Sequence, residues 1–183
     1  MDKEGLRIYY KKERQLMSAD DFVSRSERVL AQLKKHSWND VTYIHLYIPI
    51  QRMREIDTWP FMDWLRQHYP ALKIVVSRSN PDDSSMSHYL FTERRELLEN
   101  KWGILEPQEG ESVDEKLIDA VIIPLLVADK AGNRVGYGKG FYDRFLAKCR
   151  PDCLKIGLSL FPPVEQIDDV NEYDVPLDVL ITP

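Results

Sequence analysis

Apolar positions fall at helical spacing in three stretches of the chain and as short unbroken runs in several others. Between Lys3 and Gln15, Leu6, Ile8 and Tyr9 stand among dense charge at loosely helical intervals, which predicts a first helix. Ser18-Ala19-Asp20-Asp21 follows as a cap: the Ser18 hydroxyl can accept the Asp21 amide, and the two carboxylates suit a helix start. A second helix then buries Phe22, Val29, Leu30 and Leu33 and ends near His36. The β-branched and aromatic run Val41 to Ile48 reads as a strand that Pro49 stops. Asp57-Thr58 is expected to cap a third helix with proline in its first turn, carrying Phe61, Trp64, Leu65 and Tyr69.

Beyond it, Leu72 to Val76 is a second strand, Asn80 to Ser85 a turn, and Met86 to Thr92 the return strand of a hairpin. Ala120-Val121-Ile122-Ile123 has the uninterrupted apolarity of a strand buried on both faces. It leads toward a glycine-rich loop, a helix from about Phe141 to Cys149, and strands at Lys155–Leu160 and Leu177–Ile181. This alternation predicts an α/β fold: one domain over residues 1–183, with an open, mostly parallel, Rossmann-like sheet in a three-layer arrangement flanked by helices on both faces. Ligands of such sheets bind outside the carboxyl ends of the strands, where the glycine loop falls.

Composition narrows the function. A chain of 183 residues that is 43% hydrophobic can fold without disulfides or a structural metal. Its two cysteines, Cys149 and Cys153, are expected as free cytosolic thiols. A net charge of -5 argues against a nucleic-acid partner. The start lacks the apolar core of a signal peptide, and the run Ala120 to Ala128 is too short to span a bilayer at about 20 residues. The expectation is a cytoplasmic monomer with no membrane partner. His36, His45, His68 and His88 show no metal spacing and read as surface or core residues.

Asp129 to Arg144 holds the densest candidate chemistry. Gly136, Gly138 and Gly140 alternate between a strand and a helix, so the backbone can approach a phosphate, while Arg134 and Lys139 add positive charge and Asp143 could hold Mg2+. The spacing fits neither a Walker loop, which would need glycine at Asn133 and a hydroxyl at Gly140, nor a dinucleotide fingerprint, which would need glycine at Phe141. A plain strand-to-helix turn with solvated charges is the competing reading. The accompanying Arg134, Lys139 and Asp143 favour phosphate.

The segment Asn133-Arg134-Val135-Gly136-Tyr137-Gly138-Lys139-Gly140-Phe141-Tyr142-Asp143 resembles the signature of the 5-formyltetrahydrofolate cyclo-ligase (methenyltetrahydrofolate synthetase) family. Further pieces match in order: Lys3 with Leu6-Arg7, Arg54 to Thr58, Trp102-Gly103-Ile104, Glu106-Pro107, Ile123-Pro124 with Asp129, Asn171 to Asp174, and Leu177-Asp178. The resemblance implies an ATP- and Mg-dependent closure of 5-formyltetrahydrofolate, bare or polyglutamylated, to 5,10-methenyltetrahydrofolate. The formyl oxygen would be phosphorylated, and ADP and phosphate released.

Carried over by position, Lys3, Arg7, Arg134 and the segment Gly136, Tyr137, Gly138, Lys139, Gly140, Phe141 and Tyr142 would bind ATP. Lys139, Arg134 and Tyr142 would act in catalysis, and Ile50, Glu55, Trp102, Tyr137 and Phe141 would meet the folate. Asp143 and Asp174 would hold Mg2+. The sequence departs from the family pattern at Phe161-Pro162-Pro163-Val164, at Tyr137 and Phe141, and at Ser77-Arg78, where proline and arginine are usual. Two other readings compete: a nucleotide or folate binder without turnover, and a different enzyme, such as a sugar-phosphate isomerase, on a similar sheet.

Overall fold

The computed structural model describes residues 1–183. Two long helices open the chain, α1 (Lys3–Leu16) and α2 (Ala19–Leu33). Ser18 accepts the Asp21 amide at 3.1 Å as its capping position requires, and Asp2 caps α1 in the same way through the Gly5 amide. The parallel core of the sheet comprises β1 (Tyr43–His45), β2 (Lys73–Asn80), β6 (Ala120–Pro124), β9 (Leu154–Leu158) and β10 (Val179–Ile181). An antiparallel edge strand, β3 (Ser85–Leu90), completes six strands in the order β10-β9-β6-β1-β2-β3.

Both faces of the sheet are covered, as its apolar runs require. Ile44, Ile74, Val76, Ile122 and Ile156 turn toward α2 and toward α3 (Trp59–His68), which contributes Phe61, Met62 and Leu65. Val75, Val121 and Ile123 turn the other way, against Phe145 and Leu146 of α4 (Phe141–Leu146). The three-layer α/β reading therefore holds, with only one short helix on the second face.

Three local expectations need correction. The strand expected over Val41–Ile48 is ordered as β1 only to His45; Leu46 adds one further bond to Val75, and the chain then leaves the sheet before Pro49. Thr58 does not cap α3, because its hydroxyl donates to the Tyr47 carbonyl at 2.7 Å, and Asp57 accepts the Trp59 amide instead. The last helix stops at Leu146: Lys148 and Cys149 bond back three residues, not four, so the apolar spacing continues as tighter turns. Two small hairpins had no recognised signal: β4 (Leu97–Glu99) with β5 (Leu105–Pro107), and β7 (Val127–Ala128) with β8 (Arg134–Val135). No helix is long and apolar enough to cross a membrane.

Candidate active site

The connections that leave β1 split the sheet: the chain passes to β2 on one side of β1 and later returns to β6 on the other. The carboxyl ends of β1 and β6 therefore diverge and leave a crevice between them. A cavity of about 670 Å³ opens there, lined by His45 and Ile50 from the β1 end, Pro124 from β6, and the whole loop from Gly136 to Asp143. Such a volume suits a small-molecule ligand.

One stripe of α1 faces this cavity. Lys3, Arg7 and Lys11 recur every four residues and all line it, so the helix presents its cations in a row. Lys3 is held by Asp174 at 2.5 Å, and Arg7 donates to the Gly136 carbonyl at 3.1 Å, which ties the helix to the loop. Gly138 permits that approach: its φ is +87°, and a Cβ there would lie 3.0 Å from the Arg7 guanidinium carbon. Arg134 donates to Asp143 at 2.7 Å and also to the Val175 carbonyl, which fixes it beneath the loop. With only six residues, α4 adds little dipole, so the loop amides and side-chain charges must carry any anion.

Six cations line the cavity, namely Lys3, Arg7, Lys11, Arg52, Arg134 and Lys139, against the four carboxylates of Glu55, Glu106, Asp143 and Asp174. The cavity is thus net positive in a chain whose net charge is -5, a local inversion that favours anionic ligands.

On its inner side lies an acidic anchor. Glu55 is buried and accepts the Ile50 amide at 2.8 Å; desolvation raises its carboxyl above the usual range, an effect partly offset by that amide, Arg14 and Tyr137. Arg14 donates to the Tyr137 hydroxyl at 3.1 Å and to the Leu125 carbonyl at 2.6 Å. Burial pushes the Tyr137 and Tyr142 phenols up, so both stay protonated donors.

All but one of the expected site residues meet at this cavity: Lys3, Arg7, Ile50, Glu55, Arg134, the run Gly136 to Asp143, and Asp174. Trp102 does not join them. It is 45% exposed beside Lys101, while Ile104, Leu105 and Glu106 from the same hairpin reach the cavity. Sequence reasoning also missed Lys11, which continues the spacing of Lys3 and Arg7, and Arg14, His45 and Ser77.

Asp143 and Asp174 line the cavity together, and each binds a protein cation through one carboxylate oxygen. No group of three or more potential ligands gathers anywhere in the chain. That donor set fits a Mg2+ ion carried in with substrate phosphates on one or two carboxylates, and does not fit an all-protein cage.

The model of the 5-formyltetrahydrofolate cyclo-ligase family matches residues 1–183. A 5-formyltetrahydrofolate cyclo-ligase of Mycoplasma genitalium is 39% identical over 159 residues, covering 85% of this chain and 95% of that protein. The mitochondrial enzyme of the same name from Arabidopsis thaliana is 28% identical over 75% of this chain, and the alignment spans 57% of its length. Among solved structures, the 5,10-methenyltetrahydrofolate synthetase of Aquifex aeolicus aligns over 99% of this chain and 89% of its own, with a TM-score of 0.82 and 28% identity. That of Mycoplasma pneumoniae shares the fold at a TM-score of 0.77 and 23% identity, over 100% of this chain and 99% of its own.

Proposed function

The chain belongs to the 5-formyltetrahydrofolate cyclo-ligase family, and from that premise we propose that its cavity converts 5-formyltetrahydrofolate to 5,10-methenyltetrahydrofolate, with ATP cleaved to ADP and phosphate. The observation that carries the reading is the meeting of six cations and a buried carboxylate in one crevice at the strand-order reversal. Cations suit a triphosphate. The Glu55 carboxylate, which still has acceptor capacity after the Ile50 amide, suits the paired N–H groups of the pterin's amino-pyrimidine edge.

The chemistry asks for both. A formyl group on nitrogen is a poor electrophile with no leaving group, so ring closure stalls at the oxygen. Transfer of the γ-phosphoryl to that oxygen makes it a leaving group; N10 then attacks the formyl carbon, and phosphate departs with the C–O bonding pair. Phosphoryl transfer is served mainly by positioning and by charge placed where negative charge grows. Arg134, fixed by Asp143 and Val175, and Lys139 on the exposed rim of the loop supply that charge, with Lys3, Arg7 and Lys11 along the helix. The Tyr142 phenol, kept protonated by burial, donates from beneath. Asp143 and Asp174 would hold the Mg2+ that accompanies ATP and offsets phosphate charge.

The test is the absorbance of the methenyl product on mixing the purified protein with 5-formyltetrahydrofolate, ATP and Mg2+, beside reactions that omit each. A signal that needs all components supports the reading. No signal, with ATP and folate still bound by calorimetry, would leave a binding protein in its place.

A further inference from the structure

Behind the cavity wall lies a chain of polar groups that the reaction above does not use. Ser77 on β2 lines the cavity, and its hydroxyl sits between two buried imidazoles: 2.7 Å from His45 Nε2 on β1 and 2.8 Å from His88 Nδ1 on β3. His45 is fully buried and His88 is 4% exposed. On the far side, His88 Nε2 lies 3.7 Å from Glu115, whose side chain is 21% exposed. The four groups thus run from the cavity to the surface.

Donor and acceptor counting orients them. His88 Nε2 has no hydrogen-bond partner, and the negative charge of Glu115, 3.7 Å away, favours the hydrogen on that nitrogen, which leaves Nδ1 as a bare acceptor. The one hydrogen of Ser77 is then committed to His88, so His45 must donate to Ser77 through Nε2. Ser77 Oγ retains a single lone pair. On the cavity side it can only accept.

Ring closure releases a proton. When N10 bonds to the formyl carbon its N–H becomes strongly acidic, and that proton must leave before the methenyl cation is complete. We propose that Ser77 Oγ accepts it and hands its own hydrogen to His88 Nδ1, an assignment that rests on the cyclisation reading. The N10–H bond breaks as the Oγ–H bond forms, and the former Oγ–H hydrogen becomes the Nδ1–H of His88. The resulting imidazolium faces Glu115 and discharges past it to water, while phosphate leaves with the C–O pair.

The surroundings suit a brief acceptor. Burial holds His88 at about 4, with Glu115 raising it and Lys148, 3.6 Å from Glu115, lowering it. An arylamine nitrogen just bonded to carbon is a stronger acid than such an imidazolium, so the transfer runs downhill. His45 is driven well below its ordinary range by burial and by His88, and so remains the neutral donor that steadies Ser77. Tyr142 and Phe145 of α4 close its other side, and the Tyr142 phenol stays protonated.

The experiment is single-turnover methenyl formation in H2O and D2O by the unaltered protein and by Ser77→Ala, Ser77→Thr and His88→Gln, each checked for folding by thermal melting. The expected result is a rate lower by ~100-fold in Ser77→Ala and His88→Gln, loss of the solvent isotope effect in both, unchanged KM, and recovery in Ser77→Thr. His88→Gln carries the same expectation from the far end of the chain if Ser77→Ala melts early. Unaltered rates and isotope effects in both variants would overturn the relay alone. A rise in KM without a fall in rate would make Ser77 a binding group and overturn it as well. Absence of product from the unaltered protein would remove the cyclisation reading, and the relay with it.

Discussion

Lys139 is exposed between two glycines on the cavity rim. Lys139→Ala should therefore leave the melting temperature nearly unchanged, since surface substitutions shift stability by within about 0.5 kcal/mol. Its turnover should fall ~100-fold through loss of charge at the transferred phosphoryl; a near-normal rate would remove the assigned role. His88 and His45 read in sequence as plain surface or core residues, because the groups that engage them lie on other strands. Their burial sets a pH dependence of folding. Unfolded imidazoles titrate near 6.5, whereas His88 stays neutral down to about 4, so below 6.5 the unfolded chain binds more protons. Stability should thus be complete above about pH 6.5 and fall as pH drops toward 4, by about 3 kcal/mol from His88 alone. Melting curves across that window should show the loss, and His88→Gln should flatten it. A slope unchanged by the substitution would contradict the assignment.

Among the elements, the α2 start is legible locally, whereas the α3 cap and the β7–β8 hairpin depend on groups further away in the chain. The α2 start is a local matter of Ser18 and the Asp21 amide, and Ser18→Ala should cost about 1 kcal/mol in chemical denaturation while leaving KM for both substrates unaltered. A shift in KM would mean that the cap also positions the site. On α1, spacing shows only that Lys3 and Arg7 share a face; that the face meets a ligand is implied by the family resemblance, and both residues line the cavity. Arg14, two turns beyond Arg7 on the same helix, is not legible in the sequence because its partners Leu125 and Tyr137 lie more than a hundred positions away. The β7–β8 hairpin escaped notice because each strand has two residues, and what closes it is Asp129, buried and accepting from Ala131, Asn133 and Ile167. That carboxylate matched the family pattern in sequence, and its hydrogen bonds give it a structural role.

In the molecule as a whole, the layers were legible and the strand order was not. Alternating helices and buried strands imply a covered parallel sheet, but nothing in β1 or β6 states that they are neighbours. That adjacency makes the crevice, and the crevice gathers positive charge from α1, Arg52 and the loop within an acidic protein. In the function proposed for it, this crevice transfers a phosphoryl group to the formyl oxygen before the ring closes. The most direct measurement uses 5-formyltetrahydrofolate labelled with 18O in its formyl group and follows the label by mass spectrometry of the released phosphate. Phosphorylation of the formyl oxygen puts one labelled oxygen in each phosphate for every methenyl product formed. Methenyl product accompanied by unlabelled phosphate, with the label in water, would contradict it.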